Sequence, residues 1–165
     1  MGIKLAVFGV GNTLRMDDGI GVFLVREIKD IFDKEKIKVY EIGTETWRIF
    51  SILNEEKYEN ILIVDAINLN FIPGFVYVSK NPFISDFFNI SSHEKNYIED
   101  LILTNFCGNI YIFGVEPYKV DWQIGLSDIL KEKFNDILEK LITLCNLIIE
   151  ENKESENDLF RIEKY

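Results

Sequence analysis

Four ionisable side chains combine residue types and positions that could do chemistry. Asp17 and Asp18 are adjacent acids just after a glycine-rich turn, Asp65 ends an apolar run, and His93 is the single histidine of the chain. Two carboxylates and one neutral imidazole form a suitable ligand set for a first-row divalent ion, with positions left open for water or substrate. A carboxylate beside such an ion can also move a proton during hydrolysis. All of this requires residues far apart in sequence to meet in space.

Each candidate also has a plainer reading. Asp17 and Asp18 could complement the dipole at a helix start, and Asp65 could simply accept bonds from loop amides. Most histidines are neither ligands nor catalysts. His93, however, falls within Ser91-Ser92-His93-Glu94, whose capping-box spacing predicts a helix start there. A helix N-terminus disfavours a cation, so the ring should be neutral with a nitrogen able to coordinate. Cys107 could pair with His93 as a nucleophile, but a semi-buried packing cysteine is the simpler reading.

The turn Gly9-Val10-Gly11 opens like a dinucleotide-binding fingerprint, yet Leu14 stands where the third glycine belongs. Asp17 and Asp18 would also bring negative charge towards a pyrophosphate. A Rossmann-like nucleotide-binding domain is therefore an alternative and not the leading reading.

Hydrophobic patterning supplies the elements that must position these groups. Ile3–Gly9 and Ile61–Ala66 are nearly continuous apolar runs, as expected of strands covered on both faces. Gly19–Phe32 carries Ile20, Phe23, Leu24, Ile28 and Ile31 at helical spacing. Lys38–Ile42 reads as a second strand and Thr46–Leu53 as a short helix. Phe75–Val78 follows the Pro73-Gly74 turn as a further strand. A helix from Ser91 to about Asn105, a strand over Asn109–Val115 and a long amphipathic helix over Ser127–Glu150 complete the series.

Alternating strands and helices predict an α/β fold, a three-layer αβα arrangement around a mainly parallel sheet. Ligands in such sheets bind beyond the carboxyl ends of strands, where the strand order reverses. Gly11, Asn12, Asp17, Asp18 and Asp65 all fall at such ends, so they can converge.

Composition narrows the field. The 165 residues fit one domain, expected over 1–151, followed by a charged tail over 152–165. A net charge of −10 argues against a nucleic-acid partner, which needs clustered Lys and Arg. The apolar stretches are strand-sized or broken by charge, so no membrane partner is expected. With two cysteines and no secretory signal ahead of the first strand, a cytoplasmic location is the default.

The run Gly9-Val-Gly11-Asn12-Thr-Leu-Arg-Met-Asp17-Asp18-Gly19-Ile-Gly21 resembles the signature of the nickel–iron hydrogenase maturation endopeptidases. Further motifs follow in that family's order: Gly43-Thr44, Ile63-Val64-Asp65-Ala66, Ser92-His93, Gly114-Val115-Glu116-Pro117 and Gly125-Leu126-Ser127. The resemblance runs from about Lys4 to the end of the last helix. It departs from the family at Asp18, where many relatives carry Glu. It departs again at Ile42-Gly43, where a glycine pair is common, and in the charged Glu94-Lys95-Asn96.

The resemblance implies a phosphorylase/hydrolase-like α/β fold with a twisted central sheet. It implies an endopeptidase that removes a C-terminal extension from a hydrogenase large-subunit precursor once nickel is inserted. Asp18, Asp65 and His93 would contact the nickel, which arrives with the precursor and is not tightly held by the resting enzyme. Asp18 and Asp65 would be catalytic, and Gly11, Asn12, Asp17, Gly43 and Thr44 would bind substrate. A non-enzymatic, nickel-dependent assembly factor is the alternative on the same fold.

Overall fold

The computed structural model describes residues 2–87 and 96–151. The capping box, His93 and the charged tail over 152–165 lie outside the described residues. Five strands form one sheet: β1 (Ile3–Val10), β2 (Ile37–Gly43), β3 (Tyr58–Ala66), β4 (Val76–Lys80) and β5 (Asn109–Val115). The helices are α1 (Ile20–Ile28), α2 (Trp47–Glu55), α3 (Asn96–Leu103) and α4 (Asp128–Glu151), and a 3-10 turn over Met16–Gly19 leads into α1.

The sheet order is β2-β1-β3-β5-β4, parallel except for β4, which runs antiparallel to β5 at one edge. From β1 the chain first crosses to β2 on one side, and then returns past β1 to β3 on the other. The order therefore reverses between β1 and β3, leaving a crevice beyond their carboxyl ends. Gly9 and Val64 are register partners there, one residue short of Asp65.

Strand periodicity divides the core into two layers. Leu5, Val7, Leu62, Val64 and Phe113 pack with Ile20, Leu24 and Ile28 of α1 and with Leu130, Ile137 and Leu141 of α4. Ala6, Phe8, Ile61, Ile63 and Ile112 pack with Ile49 of α2 and with Tyr97, Ile98 and Leu101 of α3. Successive strand residues feed opposite faces, which is why these strands read as unbroken apolar runs. Full burial of each Leu, Ile or Phe contributes roughly 1.5–3 kcal/mol.

Some element ends differ from the pattern in the sequence. The helix expected over Gly19–Phe32 is α-helical only from Ile20 to Ile28, and Ile31 is 54% exposed. Asp33 explains the early stop. Its side chain accepts a bond from the Glu35 amide while its carbonyl accepts from Lys36 and Ile37, which turns the chain into β2. At the other end of the molecule, Ser127 Oγ accepts from the Leu130 amide and caps α4. Among the described residues no helix is long and apolar enough to cross a membrane.

Candidate active site

The glycine turn after β1 is fixed by close backbone packing. Gly11 has φ +132, and a Cβ there would overlap the carbonyl oxygen of Asp18. Its amide donates to the Gly43 carbonyl at 3.0 Å, which joins the turns that end β1 and β2. Gly21, in the first turn of α1, lies so close to the Val10 and Val64 carbonyls that a side chain would push the helix off the sheet. The start of α1 is thereby pressed against the carboxyl ends of β1 and β3.

The 3-10 turn sends its two acids in different directions, since successive side chains of such a turn diverge by about 120°. Asp18 turns back under the glycine turn, where its Oδ2 accepts from the Asn12 amide at 2.8 Å. An internal carboxylate thus takes the amide that a bound phosphate would need, which argues against the nucleotide reading.

Asp17 points inward and is fully buried. Its Oδ2 accepts from the amides of Tyr118 (3.0 Å) and Lys119 (2.9 Å) and from Ser127 Oγ (2.8 Å). Its Oδ1 accepts from the Ser127 amide at 2.7 Å. Asp17, expected among the substrate-binding residues, here fastens the 118–127 loop from within.

Asp65 is fully buried near the end of β3. The Tyr97 hydroxyl, carried by α3, donates to its Oδ2 at 2.6 Å. Burial chiefly, then the charges of Asp65 and Asp18, hold the Tyr97 hydroxyl protonated well above the usual tyrosine range. Asp65 thus stands at the carboxyl end of β3, and Asp18, held by the Asn12 amide, lies just beyond the carboxyl end of the adjacent β1.

Gly11, Asn12, Gly43 and Thr44 line one open groove of about 260 Å³ beside that site. Gly43 makes its turn with φ +63, while Ile42, in place of a second glycine, is buried in the core. Arg26 and Glu41 close one wall with an ion pair at 2.9 Å. Leu14 forms part of the rim and is 53% exposed.

Among the described residues no three His, Cys, Asp or Glu side chains converge to hold a metal. The expected third ligand, His93, lies outside them. Cys107 is exposed and is not the semi-buried packing residue expected; Cys145 is the buried one. Sequence reasoning missed Tyr97, and it noticed Ser127 only in the Gly125-Leu126-Ser127 motif and at a helix start, not as the partner of Asp17. Each meets its carboxylate from a distant segment. Glu116 was noticed only as part of a motif. Its carboxylate accepts from the Leu69 amide at 2.8 Å and so braces the loop after β3.

Fold and site together define an α/β protein with a carboxylate site at the switch point of a doubly wound sheet. The hydrogenase maturation protease family model matches residues 22–144. That span begins after the opening glycine motif, so the match rests on other residues. A candidate hydrogenase maturation protease of Methanocaldococcus jannaschii is 27% identical over 152 residues, 84% of this chain and 90% of that one. Two solved structures have similar folds. The Escherichia coli hydrogenase maturating endopeptidase HybD has a TM-score of 0.75 at 21% identity, covering 88% of this chain and 93% of that one. The [NiFe] hydrogenase maturation protease HybD of Thermococcus kodakarensis has a TM-score of 0.69 at 26% identity, covering 87% and 99%.

The chain belongs to the hydrogenase maturation protease family. It is a protease, a hydrolase of hydrogenase maturation.

Proposed function

We propose that this protease removes the C-terminal extension of a nickel–iron hydrogenase large-subunit precursor after nickel insertion. It reads the nickel carried by the precursor through Asp18, Asp65 and His93. The observation that carries this reading is the placing of Asp65 and Asp18 at the carboxyl ends of the adjacent strands β3 and β1, beside the groove lined by Gly11, Asn12, Gly43 and Thr44. The similarity to the [NiFe] hydrogenase maturation protease HybD of Thermococcus kodakarensis supports the choice of client.

The chemistry follows from the residues. The precursor's nickel polarises the scissile carbonyl or activates a water molecule, and Asp18 or Asp65 moves the proton. Because the ion arrives with the substrate, an unloaded precursor lacks part of the reaction centre and is not cut. Both cysteines are thiols, as in a reducing compartment, and we place the reaction in the cytoplasm.

The test compares nickel-loaded and metal-free precursor incubated with the full chain, with the released peptide followed by mass spectrometry. Peptide release from the loaded form alone is expected. Release from both forms contradicts nickel recognition. A stable complex with no release supports the assembly-factor reading instead.

A further inference from the structure

The segment between β5 and α4 carries a large apolar side chain at every second position. Tyr118 (59% exposed), Val120 (40%), Trp122 (73%) and Ile124 (76%) all face solvent. Exposed apolar residues scattered singly are ordinary, but a contiguous patch marks an interaction surface. Here they gather beside the glycine-turn loop. Met16 donates to the Gln123 carbonyl at 2.9 Å, Arg15 and Gln123 form a parallel bridge, and the Arg15 guanidinium lies 5.4 Å from the Trp122 ring centre. Leu14, next in sequence to Arg15, is exposed and lines the groove. Arg15 thus adjoins both Trp122 and the groove's rim residue Leu14.

The segment is also held in place. Asp17 ties Tyr118, Lys119 and Ser127 from below, and its own amide donates to the Lys119 carbonyl at 3.2 Å. A loop that is already ordered loses less entropy when a partner binds. Trp and Tyr are also the side chains that most often anchor protein interfaces.

We propose that Tyr118, Val120, Trp122 and Ile124, with Leu14, form the platform on which an apolar surface of the protein client seats, so that the segment to be cut enters the adjoining groove. This rests on the proposed cleavage of a hydrogenase precursor. The client is the committed occupant for two reasons: a protease must hold a protein, and a chain lying in the groove passes Leu14 onto the patch. Asp17 then links the two tasks, since it fastens the platform and stands next to Asp18.

The test is the double variant Trp122→Ser/Ile124→Ser, both solvent-exposed positions, with folding checked by thermal unfolding. Cleavage of nickel-loaded precursor is measured together with its calorimetric Kd and the oligomeric state of each protein. A rise of roughly tenfold or more in KM and in Kd, with kcat within about twofold, is expected. Unchanged KM and Kd overturn the platform. So does a wild-type dimer that the variant converts to a monomer of unchanged kcat/KM, because the patch would then join two copies of this chain. A wild type that binds precursor without cleaving it refutes the proposed activity, and Kd still decides the platform. A wild type that does not bind refutes both.

Discussion

The Tyr97 hydroxyl donates a 2.6 Å hydrogen bond to Asp65 Oδ2, joining α3 to the carboxyl end of β3 inside the molecule. The bond fixes the orientation of a carboxylate assigned to the reaction, and groups that orient a ligand commonly matter about 10- to 100-fold. Tyr97→Phe keeps the ring and removes only this donor. We expect kcat to fall by about 10- to 100-fold with KM within about twofold, at a stability cost of about 1–2 kcal/mol. Single-turnover cleavage alongside urea unfolding checks this, and an unchanged kcat would deny Tyr97 its positioning role.

The same bond sets an alkaline limit. Burial raises Tyr97, Tyr58 and Tyr111 above the ordinary tyrosine value. A raised folded-state pKa contributes stability that is complete below the unfolded value of about 10 and is lost as pH climbs beyond it. Unfolding free energy should therefore be flat in this respect up to about pH 9 and decline above pH 10. Tyr97→Phe should decline less steeply. Equal slopes for the two proteins would contradict the assignment.

Asp17 makes a different prediction from its neighbour. Asp17→Ala orphans the buried Ser127 amide and hydroxyl and frees the Tyr118 and Lys119 amides. The cost should be roughly 3 kcal/mol or more, given about 1–3 kcal/mol for each buried donor left unsatisfied. Amide hydrogen exchange should show lost protection at Tyr118, Lys119 and Ser127. Retained protection would mean that Asp17 is not the fastener.

The two thiols should separate cleanly. Burial pushes the Cys145 thiol up to about 12, whereas Cys107 is exposed. A thiol reagent at pH 8 should modify one cysteine in the native protein, mapped by mass spectrometry to Cys107, and both after denaturation. Fast labelling of Cys145 in the native protein would contradict its burial.

Much of the framework was legible in the sequence because strands buried on both faces leave continuous apolar runs. β1, β3 and β5 were expected at Ile3–Gly9, Ile61–Ala66 and Asn109–Val115, and they stand at Ile3–Val10, Tyr58–Ala66 and Asn109–Val115. Asp18 and Asp65 could be placed at one end of the sheet because the strand-end rule needs only the order of elements. What stayed hidden depends on pairing across long separations. Nothing near Asp17 announces Ser127, and nothing near Asp65 announces Tyr97. The early end of α1 was masked because Ile31 keeps the helical spacing while the Asp33 turn draws the chain away.

The central claim is that Asp18 and Asp65 form one nickel-reading site with His93. It is tested most directly by the rate at which Asp18→Asn, Asp65→Asn and His93→Ala release the C-terminal peptide from nickel-loaded precursor. Each variant should be slower than the wild type by about 10²-fold or more while keeping its thermal unfolding midpoint within a few degrees. Release at the wild-type rate by all three variants would contradict the account.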